Sequence, residues 1–416
     1  MIKSRGQLLN NIALKLKKRR EMLLDVANFV LENCTPQKLL QGKLSKQSLK
    51  KFNKVAVISI GKAARGMAKA VLPMLGRKPD YVLLADKGHP LPTQDGIRNT
   101  KKIIKISRRL GEKDLAIVLI SGGGSAMCVA PAHGISLKDK ISVTRALLKS
   151  GATINEINVV RKHLSQVKGG RLAALLYPAT VLGFVISDVV GNDLSTIASG
   201  PLSPDKSTFR DVLKILEIYE IRIPRSVSKY LECGLKDENL ETPKPREKYF
   251  GKVKVQIIAD HKTILEKALM KAKEMKLKTF TIDREITGEA REVARNFVSR
   301  ARKNALLIGA GETTVTCKGH GCGGRNQEFV LSGLKYTDDT QVLLSIGTDG
   351  VDGVGPEPIA GAIGDIVNFK NAQVANLNID THLKNNDSYS FFKKTGGLIR
   401  TGPTGTNLGD LMMILG

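Results

Sequence analysis

The sequence predicts an α/β protein of two domains, the first built on a parallel sheet. Three observations carry this. The chain has 416 residues, more than one ordinary core supports. Short apolar runs ending in Gly, Ser or Asp alternate with helical stretches, the pattern of a parallel sheet covered on both faces. Between 233 and 250 the chain reads CGLKDENLETPKPREKYF. This stretch is polar, carries two prolines and has no apolar period, so it marks a domain boundary. The expected domains are 1–235 and 251–416.

Residues 7–50 read as helix and basic loop. KVAVISIG is a buried strand whose glycine turns the chain into a helix, AARGMAKAVLPML. YVLLAD is a second strand and LAIVLI, residues 115–120, a third. The loop SGGGSA follows, then a helix near 136–150. TVLGFVIS, 180–187, is a fourth strand, leading into DVVGND. Beyond the boundary a second α/β series is expected to open with VKVQIIAD and a lysine-rich helix. KTFTID, the helix TGEAREVARNFVSRA, ALLIGAGETTVTC, the glycine loop KGHGCGGRNQEFVLSGL and VLLSIGTDGVDGVG complete it. The end, GPTGTNLGDLMMILG, is a glycine-rich turn followed by an apolar run.

Composition narrows the function. Apolar residues are 42% and charged residues 25%, as in soluble globular proteins. No apolar run is long enough to span a bilayer. The basic start MIKSRGQLLNNIALKLKKRR lacks the apolar core and small-residue cleavage site of a secretory signal. Lysine and arginine total 66 against 39 acids, a net charge of +27. Nucleic acid is not the expected partner. No zinc-finger, basic-zipper or RNA-recognition signature is present, and aromatics are only 4%. A positive field that draws in small anions fits the charge. Five sparse cysteines argue for a reducing cytoplasm rather than a disulfide scaffold. CKGHGC has no second Cys/His cluster to complete a zinc site.

In open α/β sheets ligands bind beyond the carboxyl ends of the strands. Three adjacent glycines between two serines, Ser121, Gly122, Gly123, Gly124 and Ser125, offer bare backbone N–H groups. They form a nest for a phosphate or carboxylate, to which a following helix dipole would add. The competing reading is a tight turn that needs glycine for its backbone angles. Lys62 stands at the tip of a buried strand, where it can meet an anion. No GxxxxGK[ST] motif exists, so phosphate is not bound by a P-loop. In NVVRKHLSQVKGGRLA, Arg161 can fork onto a carboxylate or phosphate. Lys168 precedes Gly169, which lets a ligand approach. A solvated helix with a glycine cap explains this stretch equally well. Asn158 at its start and Asn407 in the terminal glycine turn join the substrate- or phosphate-binding candidates. His163 is expected to be structural. The acids Asp188 and Asp193, and Asp349 and Asp352, sit on glycine loops that suit magnesium or a general base. Asx turns are the plain alternative.

GHGCGG, 319–324, matches the dinucleotide fingerprint GxGxxG. The acid the fingerprint requires is poorly placed, with Asp349 about ten residues beyond the usual interval. Arg325 directly follows. A cation at a helix start opposes the dipole, so an anion is expected to compensate it.

SIGKAARGMAKA, GHPLPTQDG, LISGGGSA, NVVRKHLSQVKGGRLA, SDVVGNDLSTIASGP, GGRNQEF, GTDGVDG and GPTGTNLGDLMMIL occur in this order. From about residue 20 to the end, the chain resembles the ATP-dependent glycerate 2-kinases whose C-terminal part is the MOFRL domain. Members of this class have often carried the label hydroxypyruvate reductase. The resemblance implies a Rossmann-like N-terminal domain, a C-terminal α/β domain containing the MOFRL region, and an active site in the cleft between them. It implies phosphoryl transfer from ATP to the 2-hydroxyl of D-glycerate with a divalent cation, Mg2+. Lys62 and Arg325 match the lysine and arginine regarded as central to catalysis in the class. On this basis Lys62, Arg325 and Asp188 are the catalytic candidates. Asp193, Asp349 and Asp352 are candidate metal ligands, with Asp188 or Asp193 orienting the hydroxyl. Cys322 stands where the class is expected to have another residue. The runner-up is an NAD(P)H-dependent hydroxypyruvate reductase. Expected partners are the two small substrates, with no nucleic acid and no membrane, and with room for a homodimer.

Overall fold

Strand edges place the candidate residues, so the sheets come first. The structure, a computed structural model, describes every residue except Asn11, His89, Pro90 and Arg284, and the side chains of Lys46, Ser48 and Val190. His89 and Pro90 of the GHPLPTQDG motif therefore lie outside the described residues. The chain divides into two units, Leu40–Ile258 and Met1–Leu39 with Ala259–Gly416.

The first unit contains β1 (Val55–Ile60), β2 (Tyr81–Ala85), β3 (Leu115–Ile120), β4 (Thr180–Ile186) and β5 (Val253–Ala259). Their order is β2-β1-β3-β4-β5. β2, β1, β3 and β4 pair in parallel, with Ile60 opposite Ile120 and Ile120 opposite Val185. β1 and β3 are buried along their whole length, as continuous apolar runs in a two-sided sheet must be. Ile58, Ile60, Val118 and Ile120 form the core with Ile103, Leu172 and Leu176. This strand order has its switch point between β1 and β3, where flanking crossovers diverge and leave a crevice. The helix Ile154–His163 is started by a capping box of Thr153 and Glu156, which satisfies its first amides. Its apolar side, Ile157 and Val160, packs with Val143 and Leu147 against Phe209 and Val212.

Two sequence expectations are corrected here. VKVQIIAD does not open a second series; it is the fifth strand of the first sheet, because Val253, Val255 and Ile257 pack on that sheet's core. The chain changes unit at Ile258–Ala259, after the polar stretch 233–250. Residues 1–39 belong with the C-terminal unit rather than with the expected domain 1–235. The reason is the helix Leu14–Asn33, which buries Leu23, Leu24, Val26, Ala27, Val30 and Leu31. It packs on the helix His261–Glu274. Buried Arg20 also forks onto Asp365 through Nε at 2.7 Å and Nη2 at 3.0 Å.

The second unit holds β6 (Thr279–Thr281), β7 (Ile286–Glu289), β8 (Leu306–Thr314), β9 (Val342–Gly347), β10 (Gly361–Gly364), β11 (Leu398–Ile399) and β12 (Asp410–Leu415). The order is β11-β10-β9-β12-β8-β6, with β7 also pairing β8. The sheet is mixed. β12 runs antiparallel to both β8 and β9, while β6 and β7 are parallel to β8. The apolar end DLMMIL is thus a central strand. TGE of TGEAREVARNFVSRA is strand, not helix; Gly288 has φ +114, and the helix begins at Ala290.

Candidate functional site

The parallel register of β1, β3 and β4 brings Gly61-Lys62, Ser121–Ser125 and the loop after Ser187 to one edge of the first sheet. The turns interlock. Gly61 has φ +106, and a Cβ there would lie 2.3 Å from the Ser121 carbonyl oxygen. The Lys62 amide donates to Gly122 O at 2.9 Å, and the Ala63 amide to Ser121 Oγ at 3.0 Å. Lys62 itself is exposed. Gly123 is left-handed at φ +78, and Gly124 abuts Ala198 and Ile60. Part of the glycine content is therefore conformational. The amides of Gly122, Gly123 and Gly124 nevertheless meet no protein acceptor among the described residues. The helix behind them, Gly124–Met127, has only four residues, so the expected dipole contribution is lost and the nest rests on its amides.

Behind this loop stands a turn that sequence reasoning missed. Ala198 (φ 52), Ser199 (φ 61) and Gly200 (φ 63) are three successive left-handed residues, two of them not glycine. Such backbone persists only where its surroundings hold it. Gly169 N–H donates to Ser199 O at 3.0 Å and Gly170 N–H to Gly200 O at 2.7 Å. Lys168 Nζ donates to Ala198 O at 3.4 Å. Ser199 Oγ donates to Asn158 Oδ1 at 2.9 Å and lies 2.8 Å from Ser125 Oγ. The motif IASG is visible in the sequence; left-handed angles at Ala and Ser are not. The structure therefore brings Ser125, Asn158, Lys168 and Gly169 together around Ser199.

Cations gather here, and buried Asp205, beside Gly169, is paired with Lys162 at 3.3 Å rather than with these. Lys168 is buried, and burial pulls its pKa down to about 8, opposed by Cys128 and reinforced by Arg161. Lys140, also buried, is pushed well down by burial and then by Lys168 and Arg161. Burial lowers Arg161 too, and no hydrogen-bond or ion-pair partner for its side chain occurs among the described residues. Buried charge without a counter-charge is costly, so the group is set up for an anion. His163 is structural: Nε2 lies 2.7 Å from Glu241 Oε1 and Nδ1 2.9 Å from Val159 O. Burial would raise Glu241, but this contact and the Thr242 amide bring it down to about 2.

In the second unit β8, β9 and β12 put Glu312, Thr348–Asp352 and Asn407–Asp410 at one edge, Gly311 and Gly347 both facing Asp410. Arg325 starts the helix Arg325–Gly333 there. The anion that compensates it is internal. Asp410, fully buried, takes Nε at 2.6 Å and Nη2 at 3.0 Å, and Glu312 takes Nη1 at 2.7 Å. Burial works against the guanidinium's charge, but Asp410 and Glu312 outweigh it and hold the proton firmly. Asn326 Nδ2 donates to Asp410 Oδ1 at 2.9 Å, so that carboxylate is shared between two neighbouring residues of the helix.

The glycines of GHGCGG serve this unit's own chain. A Cβ at Gly319 would lie 2.2 Å from Asn385 O, one at Gly323 2.1 Å from Ser388 Oγ, and one at Gly324 2.4 Å from the Asp352 carboxyl carbon. Close passage of residues 385–388 and 352 explains them without a pyrophosphate.

The metal candidates are engaged within the chain. Asp352 accepts from the Asn326 amide at 3.0 Å and the Gln327 amide at 2.9 Å, and from both side-chain amides at 3.1 and 3.0 Å. Burial raises its pKa to about 6 despite these donors. It anchors a helix start and has no oxygen to spare. Asp193 is likewise committed, to Ser195 N at 2.8 Å, Ser195 Oγ at 2.7 Å and Thr196 Oγ1 at 3.0 Å. Asp349 Oδ1 accepts from Val351 N at 3.0 Å, an Asx turn. Among the described residues no three His, Cys, Asp or Glu side chains group as a metal site would require. The acids do not fit a protein-built cage. Asp188, half-buried, follows β4 at the first edge, and Asn407 is buried beside Asp410 at the second.

Two family models match the chain. Residues 22–232 match the model of a domain of unknown function, DUF4147, and residues 305–410 match the MOFRL family. The chain is 38% identical to a D-glycerate 2-kinase of Thermotoga maritima, over 95% of this chain and 97% of that protein. It is 38% identical to a glycerate 2-kinase of Pyrococcus horikoshii over 87% of each. The crystal structure of the Thermotoga maritima glycerate kinase superposes with a TM-score of 0.81, covering 96% of this chain and 99% of that one.

Proposed function

The chain belongs to the glycerate 2-kinase family, in which a DUF4147 domain is joined to a MOFRL domain, and from that premise we propose that it transfers the terminal phosphoryl group of ATP to the 2-hydroxyl of D-glycerate. Phosphoryl transfer asks a protein for positioning and charge cancellation more than for covalent chemistry. The observation that carries the reading is the edge of the first sheet, where open amides and exposed Lys62 stand at a switch point and Ser125 is tied through Ser199 to Asn158, on the helix that carries Arg161. Such a donor set suits anionic substrates.

In this reading Lys62 meets charge developing on the transferred group, while within the second unit Asp410 aims the fork of Arg325, the other catalytic candidate. Asp188 orients the 2-hydroxyl and accepts its proton. Mg2+ enters with ATP on the phosphates, keeping its waters. No step is assigned to a metal held by Asp193, Asp349 or Asp352. No helix among the described residues is long and apolar enough to cross a membrane. The five cysteines are free, which suits the cytoplasm we assign. A homodimer belongs to the proposal as well, tested by light scattering.

The deciding assay supplies ATP, magnesium and D-glycerate and identifies the product as the 2- or 3-phosphate, beside hydroxypyruvate with NADH or NADPH. ATP-dependent 2-phosphoglycerate is expected. Nicotinamide turnover without ATP consumption would reverse the assignment; the self-filled GHGCGG loop speaks against it.

A further inference from the structure

One question the kinase reading leaves open is which substrate the first unit's edge receives. Resting on that reading, we propose that Arg161 and Ser125 hold the carboxylate of the hydroxy acid, with Ser199, Asn158 and Lys168 as positioning residues behind them, and that the ATP phosphates are held by groups other than these.

Four observations converge. Arg161 is half-buried and has no counter-charge among the described residues; its planar fork matches one carboxylate. Asn158 and Arg161 are three residues apart on the helix Ile154–His163 and so share a face. Ser199 ties that face to the glycine loop, donating to Asn158 and touching Ser125 Oγ. The turn carrying Ser199 is left-handed at two non-glycine residues and is pinned by Lys168 and Gly169. An arrangement held at that conformational cost is built to fix one hydroxyl. The groups are small, polar and mostly buried, which suits a three-carbon acid. They include no aromatic or broad apolar wall against which a purine could lie.

The test measures KM for D-glycerate and for ATP separately, with calorimetric titration of D-glycerate alone, in Arg161→Ala, Arg161→Lys and Ser199→Ala. Arg161→Ala should raise KM for D-glycerate at least about tenfold, the scale of one hydrogen bond to a charged group. KM for ATP should stay within about twofold by the same scale. Arg161→Lys should fall between, because it keeps charge and loses the fork. Ser199→Ala should weaken D-glycerate and spare ATP. Tm of unliganded Arg161→Ala should hold or rise, since an unpaired charge is removed; a merely structural arginine would lower it. A rise in KM for ATP with D-glycerate unchanged, or no change in either, overturns the subsite. If the wild type makes no phosphoglycerate, the kinase reading falls. The titration then decides separately: D-glycerate binding that Arg161→Ala abolishes keeps the subsite, and no binding removes it.

Discussion

Arg325 begins its helix with a charge the helix dipole opposes. Asp410 and Glu312 reverse that penalty. Asp410→Asn should therefore hurt twice. It leaves the guanidinium with one fewer fully buried counter-charge, a loss of about 3–5 kcal/mol in comparable pairs, and it lets the fork rotate. Turnover should drop more than ATP affinity, as it should for Arg325→Lys, and thermal melts beside kcat and KM separate the two effects. Lys62 is different, because it is exposed at a strand tip. Lys62→Ala should lower kcat by at least about 10²-fold, the scale for one preorganised charge stabiliser, with Tm unchanged; near-normal kcat removes it from the catalytic set. Lys168 gives a pH signature. Its folded pKa, about 8, lies below the ordinary 10.5, with Cys128, Arg161 and Lys140 the titratable groups facing it. Because the folded form sheds this proton first, the unliganded protein should gain stability as pH rises from about 8 towards 10.5. D-glycerate affinity should fall over the same rise, as the positioning cation is lost. A Lys168→Met variant should show neither slope.

At the scale of elements, Gly324 packs on the backbone of Asp352, which in turn caps the helix that Gly324 introduces. Gly324→Ala, whose Cβ would lie 2.4 Å from Asp352 C, should destabilise by about 1–3 kcal/mol, the usual cost of overpacking. Denaturant midpoints check this. The elements also mark what the sequence can reveal. LAIVLI and TVLGFVIS are legible as strands because both faces are buried and the apolar runs are continuous. GAIG and LI, which form β10 and β11, are too short and too plain to carry a period. VKVQIIAD is legible as a strand, but its sheet is decided by what Val253, Val255 and Ile257 touch. SGGGSA and GGRNQEF announce themselves by composition. Asp410 and Glu312 do not, since only the folded register sets them beside Arg325. The strain at Ala198 and Ser199 is invisible for a related reason: it belongs to backbone angles that the surroundings impose.

For the whole molecule, excess EDTA should abolish phosphorylation and added magnesium restore it, because the metal accompanies ATP in phosphoryl transfer generally. Single substitution of Asp193 or Asp352 should not change the magnesium concentration needed for half activity, as their oxygens are already engaged. A shifted magnesium dependence in either variant would return it to the metal-binding set.

The helix Leu14–Asn33 buries its apolar side in a unit that resumes, after Leu39, only at Ala259, and the central strand of that unit is Asp410–Leu415. During synthesis this helix leaves the ribosome long before the partners that will cover it. Its leucines stay uncovered while the intervening unit is made and has time to fold. The last strand must then slide between β8 and β9. A nascent chain arrested before residue 410 should therefore carry a protease-resistant middle between two digestible ends, and it should be a client for holding chaperones until those last residues arrive.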